Sequence, residues 1–171
     1  MMMTMPYGDE ERRTFDELYN KYESRAFAIA YRLLGDTQLA EDAALEAFFR
    51  LAANFSTIRN MEYHKLDYYI VITVRNAATD ILRKEKKYKG QLEYTDELDT
   101  NGDDMSQYSM IELKDCISRL SQEDKDILYM RAVLELDYNE IARALGIKPA
   151  TARKRLQYAR SRLKKLIGEE E

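Results

Sequence analysis

At 171 residues the chain suits one domain or two small ones, and two prolines, six glycines and abundant Leu, Ala, Glu, Lys and Arg favour an all-helical protein. No apolar run is long enough to span a bilayer, the opening MMMTMPYGDEERR turns acidic too soon for a signal peptide, and the single cysteine, Cys116, permits neither an internal disulfide nor a cysteine-based zinc site. A cytoplasmic chain without membrane insertion is expected, and its formal net charge of −4 disfavours a nucleic-acid partner only if that charge is evenly spread.

In chain order, residues 1–9 read as an N-terminal tail. A helix is expected over 10–34, with Phe15, Leu18, Tyr22, Ile29 and Leu33 on its buried side. The segment GDT at 35–37 breaks it, and Asp36 or Thr37 caps a second helix, AEDAALEAFFRL at 40–51. There Ala44, Phe48 and Leu51 face inward, leaving Glu41, Asp42, Glu46 and Arg50 outward. The stretch FSTIRNM at 55–61 reads as a loop. A long helix from about Tyr63 to Lys87 follows, with Leu66, Ile70, Val74, Ala77 and Ile81 as its stripe. Its β-branched run IVITV lowers helix propensity, a weak preference that burial overrides. Residues 89–110 have the polar, acidic composition of a flexible linker. Helices resume at Ile111, the first running to Leu120 and the second capped by Ser121. The architecture expected is all-α: two small helical domains, 10–88 and 111–171, joined by an acidic flexible linker, 89–110.

The segment YNEIARALGIKPATARKRL at 138–156 is the most specific of the chain. Asp137 fits an N-cap, and Glu140 three residues on completes a capping box. Gly146 stands where a left-handed residue ends the short helix. Pro149 fits the first position of the next, where its missing N–H costs nothing. Ala152, Leu156, Ala159, Leu163 and Leu166 make a core-facing stripe, and Arg153, Lys154, Arg155, Arg160, Arg162, Lys164 and Lys165 occupy the other faces. This is a helix-turn-helix whose second helix is basic enough to enter a major groove.

Charge resolved along the chain supports that partner. Residues 143–165 hold nine Lys or Arg and no Asp or Glu, residues 83–89 hold five basic and one acidic, and residues 91–110 hold six acidic and none basic. Local field decides where a phosphate backbone is drawn, so the chain offers two basic patches separated by an acidic connector. In the first patch Arg75, Asn76, Thr79, Asp80, Arg83, Lys84 and Lys87 share or adjoin one side of the long helix. Asn pairs bidentately with adenine and Arg or Lys holds phosphates. The same residues also fit a solvated polar face with Asn76 hydrogen-bonded to a neighbouring helix.

These segments together resemble bacterial RNA polymerase sigma factors of the short extracytoplasmic-function (ECF) group, and the match runs from Phe15 to Leu166 apart from the linker. AEDAALEAFFRL is similar to the core-polymerase-binding segment of the second conserved region, whose usual residues fall on Ala40, Glu41, Asp42, Glu46 and Phe48. YIVITVRNAATDILRK is similar to the helix that meets the minus-ten element, through Arg75, Asn76, Asp80 and Arg83. LSQEDKDILYMR at 120–131 and the helix-turn-helix resemble the fourth region, which meets the minus-thirty-five element. Four motifs in order, at the separations the family shows, make the resemblance specific.

The resemblance implies a transcription initiation factor that docks on core RNA polymerase through Glu41, Asp42, Leu45, Glu46 and Phe49. It implies minus-ten contacts from Arg75, Asn76, Thr79, Asp80, Arg83, Lys84 and Lys87, with an extruded base held near Ser56, Thr57, Ile58, Arg59 and Asn60, although that stretch also fits an ordinary connector. For the minus-thirty-five element it implies Arg153, Lys154 and Gln157 at base edges and Lys148, Thr151, Arg155, Tyr158 and Arg160 on phosphates. Promoter DNA, core RNA polymerase and an anti-sigma factor are the implied partners, with no cofactor. The chain departs from the family at Tyr69 and Ala52, where tryptophans are common, at Leu45 for glutamine, at Glu135 for glycine, and at Lys148–Thr151 for Ser-x-Gly-Thr.

No residue pattern supports catalysis. His64, the only histidine, has no cysteine, serine or second histidine at metal or triad spacing. Asp99, Asp103 and Asp104 with Gly102 suggest a calcium loop only superficially, because the glutamate at the twelfth position is missing. A free-standing helix-turn-helix regulator remains the rival reading, and it leaves the helices at 40–87 without a role.

Overall fold

The computed structural model describes residues 8–88 and 110–168, so most of the expected tail and nearly all of the expected acidic linker lie outside the described residues. Eight helices are described: α1 (Asp9–Leu34), α2 (Thr37–Ala53), α3 (Phe55–Ile58), α4 (Tyr63–Tyr88), α5 (Met110–Ser118), α6 (Gln122–Ala132), α7 (Tyr138–Leu145) and α8 (Pro149–Gly168). Among the described residues there is no strand. The chain divides into two compact units, with α1–α4 in the first and α5, α6, α8 and most of α7 in the second.

In the first unit α1, α2 and α4 pack on one another. Acidic Asp9, Glu10 and Glu11 occupy the first turn of α1, where the helix dipole favours them. Gly35, at φ 65°, ends α1 by donating its N–H to the Tyr31 carbonyl at 2.8 Å. One residue on, the Asp36 carboxylate accepts from the Leu39 N–H at 2.8 Å and caps α2. The inner face of α2 is mostly small, with Ala40, Ala43, Ala44 and Ala47 buried beside Phe48 and Leu51. Small residues let the helix axes approach closely, and the larger rings fill the remaining space. Phe48 lies 4.6 Å from the Tyr19 ring, and Phe15 meets Phe55 edge-on at 5.7 Å.

The α4 stripe follows its spacing: Ile70, Val74 and Ala77 are buried, as is the β-branched pair Ile72 and Thr73. Thr73 donates its hydroxyl to the Tyr69 carbonyl at 2.8 Å, so its polar atom is satisfied inside the core. Tyr69 is fully buried, and its phenol oxygen accepts from Asn54 at 2.6 Å. A tyrosine fits this position because its polar end has a partner.

Two expectations need correction. Leu33, placed on the buried side of α1, is 39% exposed. Burial along α1 runs through Tyr22, Ala26 and Ala30 in steps of four, so the stripe continues to the half-buried Leu34. The stretch 55–61 opens with the helical turn α3 rather than loop throughout. Phe55 and Ile58 are its buried residues, and their three-residue spacing suits one turn of helix.

The second unit has a core of Cys116, Leu120, Leu163 and Ile167, flanked by Leu113, Ile117, Leu128 and Leu166. Cys116 therefore packs as a small hydrophobe. Ser121 caps α6 by accepting from the Asp124 N–H at 3.2 Å. Asp124 in turn holds Arg162 of α8 in two hydrogen bonds of 2.8 and 3.0 Å. The Asp137–Glu140 capping box closes reciprocally, each bond 2.8 Å. Gly146 has φ 63°, and the Ile147 N–H reaches the Ala142 carbonyl at 3.0 Å, the 6→1 bond of a Schellman ending. Pro149 opens α8, whose buried stripe is Ala152, Leu156, Ala159, Leu163 and Ile167. Between α6 and α7, Glu135 adopts φ 56°, the left-handed region in which glycine carries no Cβ penalty.

Candidate nucleic-acid interface

On α2 the inward Phe48 leaves Glu41, Asp42, Leu45, Glu46 and Phe49 on the exposed side. Leu45 and Phe49 are large apolar residues with 37% and 41% exposure. Acid and hydrocarbon thus share one helix face, the composition of a protein-docking surface rather than of a phosphate contact. An open groove of about 570 Å³ runs between this face and α1, lined by Tyr19, Glu23, Phe27, Glu41, Leu45 and Phe48. The α1 contributors were missing from the sequence reading. Their spacing, 19, 23 and 27, places them on one side of a helix and was the available signal.

The segment at α3 behaves less uniformly than expected. Ser56 and Asn60 are exposed and Thr57 is half-buried, but Ile58 is only 1% exposed. Its side chain belongs to the core, which removes it from the set able to touch a base. Arg59 is exposed and pairs with Glu11 of α1 at 2.7 Å. A cavity of about 220 Å³ adjoins this segment, lined by Thr14, Lys21, Tyr22, Phe55, Ile58 and Arg59 among others. Burial, with Tyr63 and the charge of Asp67 nearby, pushes the Tyr22 phenol up to about 12. Lys21 sits 4.2 Å from the Tyr63 ring centre, a cation–π contact beside the same tyrosine.

On α4, Asp80 is a collecting point. Its carboxylate accepts from Arg50 of α2 at 3.2 Å and from Asn76 at 3.3 Å, and Arg83 approaches to 4.0 Å. Arg50 also donates to Glu46 at 3.0 Å, so one guanidinium joins a residue of the α2 docking face to a residue of the α4 patch. Thr79 donates to the Arg75 carbonyl at 2.8 Å, and Arg75 is half-buried. Lys84 and Lys87 are exposed. Asp80 is thus set to hold cations in place, whereas Lys84 and Lys87 are open to a phosphate. Arg50 was read only as an outward residue of α2. Its pairing with Glu46 follows i,i+4 spacing, but its pairing with Asp80 joins residues thirty apart and has no local signature.

Lys148, just before α8, is exposed, as are Arg153, Lys154, Gln157 and Arg160 on it, and Thr151, Arg155 and Tyr158 are half-buried. The Arg153 guanidinium lies 5.0 Å from the Tyr138 ring centre, and Arg131 lies 5.5 Å from the same ring. Arg162 is committed to Asp124 and is not a spare cation.

Among the described residues no group of three or more His, Cys, Asp or Glu is placed to hold a metal ion. The acidic 99–104 segment lies outside them. His64 is exposed, with Glu62 at 3.5 Å. No described helix is long and apolar enough to cross a membrane.

Comparison with known families gives two matches in chain order. Residues 18–88 match Sigma-70 region 2, and residues 110–163 match Sigma-70, region 4. The chain is 28% identical over 162 residues to the ECF RNA polymerase sigma factor SigM of Bacillus subtilis (strain 168), covering 91% of this chain and 96% of that one. It is 25% identical over 162 residues to the ECF RNA polymerase sigma factor SigE of Mycolicibacterium smegmatis (strain ATCC 700084 / mc(2)155), covering 91% of this chain and 62% of SigE. Among solved structures, the sigma factor RpoE in complex with the anti-sigma factor NepR from Bartonella quintana aligns with TM-score 0.41 and 16% identity, over 91% of this chain and 98% of that one.

Proposed function

The chain belongs to the sigma-70 family in its ECF group, initiation factors that bind core RNA polymerase and direct it to promoters, and from that premise we propose how its residues divide the work. Glu41, Asp42, Leu45, Glu46 and Phe49 dock core polymerase through acidic and apolar contacts. Arg75, Thr79, Arg83, Lys84 and Lys87 face the minus-ten strand, with Asp80 ordering them. Asn76, by contrast, is only 8% exposed and spends its amide on Asp80, so it supports the patch from behind and does not meet a base. Exposed Ser56, Arg59 and Asn60 and half-buried Thr57 border the receptor for an extruded base. Extrusion costs a few kcal/mol of unstacking, which a pre-shaped cavity offsets. On α8, Arg153, Lys154 and Gln157 meet base edges of the minus-thirty-five duplex, and Lys148, Thr151, Arg155, Tyr158 and Arg160 hold its phosphates. The protein acts in the cytoplasm, without chemistry of its own, and is restrained by an anti-sigma factor.

The observation that best supports this division is the contrast on α2, where exposed Leu45 and Phe49 stand among carboxylates while buried Phe48 anchors the helix from behind. Its test separates surface from core. Asp42→Lys with Glu46→Lys abolishes capture of core polymerase while helical content stays unchanged. Phe48→Ala destabilises the fold by about 3–5 kcal/mol as a core truncation. Capture that survives the double reversal places the interface elsewhere.

A further inference from the structure

Tyr138 is the first residue of α7, immediately after the N-cap, and two guanidiniums share its ring. Arg131 of α6 lies 5.5 Å from the ring centre and Arg153 of α8 lies 5.0 Å from it. The two cations are not equivalent. Arg131 is anchored, because its Nη1 donates to the Leu136 carbonyl at 2.9 Å, while Arg153 is exposed. An unrestrained arginine side chain carries about 2 kcal/mol of rotamer entropy that ordering on a base must overcome. A ring that already holds the guanidinium removes part of that cost, so Arg153 meets the groove in one conformer instead of many.

We propose that Tyr138, braced by Arg131, is a positioning residue that sets the conformer of Arg153 and thereby the sharpness of base preference where Arg153 meets the duplex. This rests on the reading of Arg153 as a base-edge contact. Tyr138 acts through the π face, since the attraction is between cation and ring quadrupole, and its hydroxyl is not required. Arg131 keeps the ring in place from α6, outside the helix-turn-helix, and is not itself a reader.

The test uses the full chain bound to core polymerase, with promoter duplexes randomised across the minus-thirty-five element. Arg153→Ala lowers discrimination at one or two base pairs by about ten-fold or more. Tyr138→Leu keeps the apolar bulk, removes the ring, and lowers discrimination at the same base pairs by about two- to five-fold. Tyr138→Phe leaves the profile unchanged, and Tyr138→Leu added to Arg153→Ala has no further effect. A Tyr138→Leu profile that matches the wild type while Arg153→Ala is flattened overturns the proposal alone. An Arg153→Ala profile that matches the wild type overturns the base-edge reading and the proposal with it. A measurement on the unmutated protein guards against a variant that fails to fold. The Arg153 δ-methylene protons are shifted upfield by the ring current, and ordinary solvent-exposed shifts for them overturn the proposal.

Discussion

On α4, Asp80 gathers Arg50, Asn76 and Arg83 around one carboxylate, whereas on α8 Arg153, Lys154, Gln157 and Arg160 are exposed on a helix whose opposite side is apolar core. Both helices are basic and both belong to regions that meet promoter DNA, yet their polar residues are organised in different ways. Side chains tied to one another hold a fixed constellation, which suits bases taken out of a stack. Exposed cations on a straight helix suit a duplex, where phosphate charge dominates affinity. Nucleic-acid helices are therefore distinguished less by their count of Lys and Arg than by what those residues are bonded to.

The largest effect expected from this difference is in salt. Three to five phosphates held by α8 predict that duplex affinity falls by about 10²-fold between 50 and 200 mM salt. Fluorescence anisotropy with the full chain and a minus-thirty-five duplex measures it. Capture of a minus-ten single strand by α4 is expected to fall less, since fewer open cations contribute. Equal slopes for the two would erase the distinction between the helices.

A smaller effect is expected on stability. Arg50→Ala leaves Glu46 and Asp80 without their shared cation and loosens Asn76 and Arg83. A loss of about 2 kcal/mol is expected in chemical denaturation. Arg160→Ala, by comparison, changes stability by less than about 0.5 kcal/mol. An Arg50→Ala protein as stable as the parent means that the carboxylates find other partners and that the constellation on α4 is not held through α2.

That pair also marks where the sequence stops being informative. The Asp36 cap, the Asp137–Glu140 box, Gly146, Pro149 and the stripes of α2 and α4 are local matters of dihedral angle and period, and each was legible. The candidate site was legible as faces: the acidic side of α2 and the basic side of α8 lie where periodicity puts them. What was not legible depends on tertiary neighbours. Arg50 reaches Asp80 across two helices, and Tyr138 meets Arg153 across a turn. Ile58 looked like part of a polar loop because its one-turn helix is too short to show a period. Leu33 is exposed because the buried residues Tyr22, Ala26 and Ala30 advance in steps of four and carry the stripe to Leu34.

The smallest effect concerns the backbone before the helix-turn-helix. Glu135 holds φ 56° with a Cβ that this region disfavours. Glu135→Gly is expected to relieve the contact and stabilise the second unit by about 1 kcal/mol, read as a raised Tm. Offset by the greater freedom of glycine in the unfolded chain, the gain stays modest. It should leave duplex affinity unchanged, because no α8 contact is altered.

The central claim is that two regions of one chain present two promoter elements to one polymerase, and mapping of transcript 5′ ends tests it most directly. Core polymerase is supplied with a template library of random upstream sequence, with and without the chain, and the start sites are sequenced. The account predicts starts that arise only with the chain and that share two upstream motifs at a fixed separation. The Asp42→Lys, Glu46→Lys protein is predicted to yield none. Starts unaffected by the chain, or governed by a single motif regardless of any second element, would contradict it.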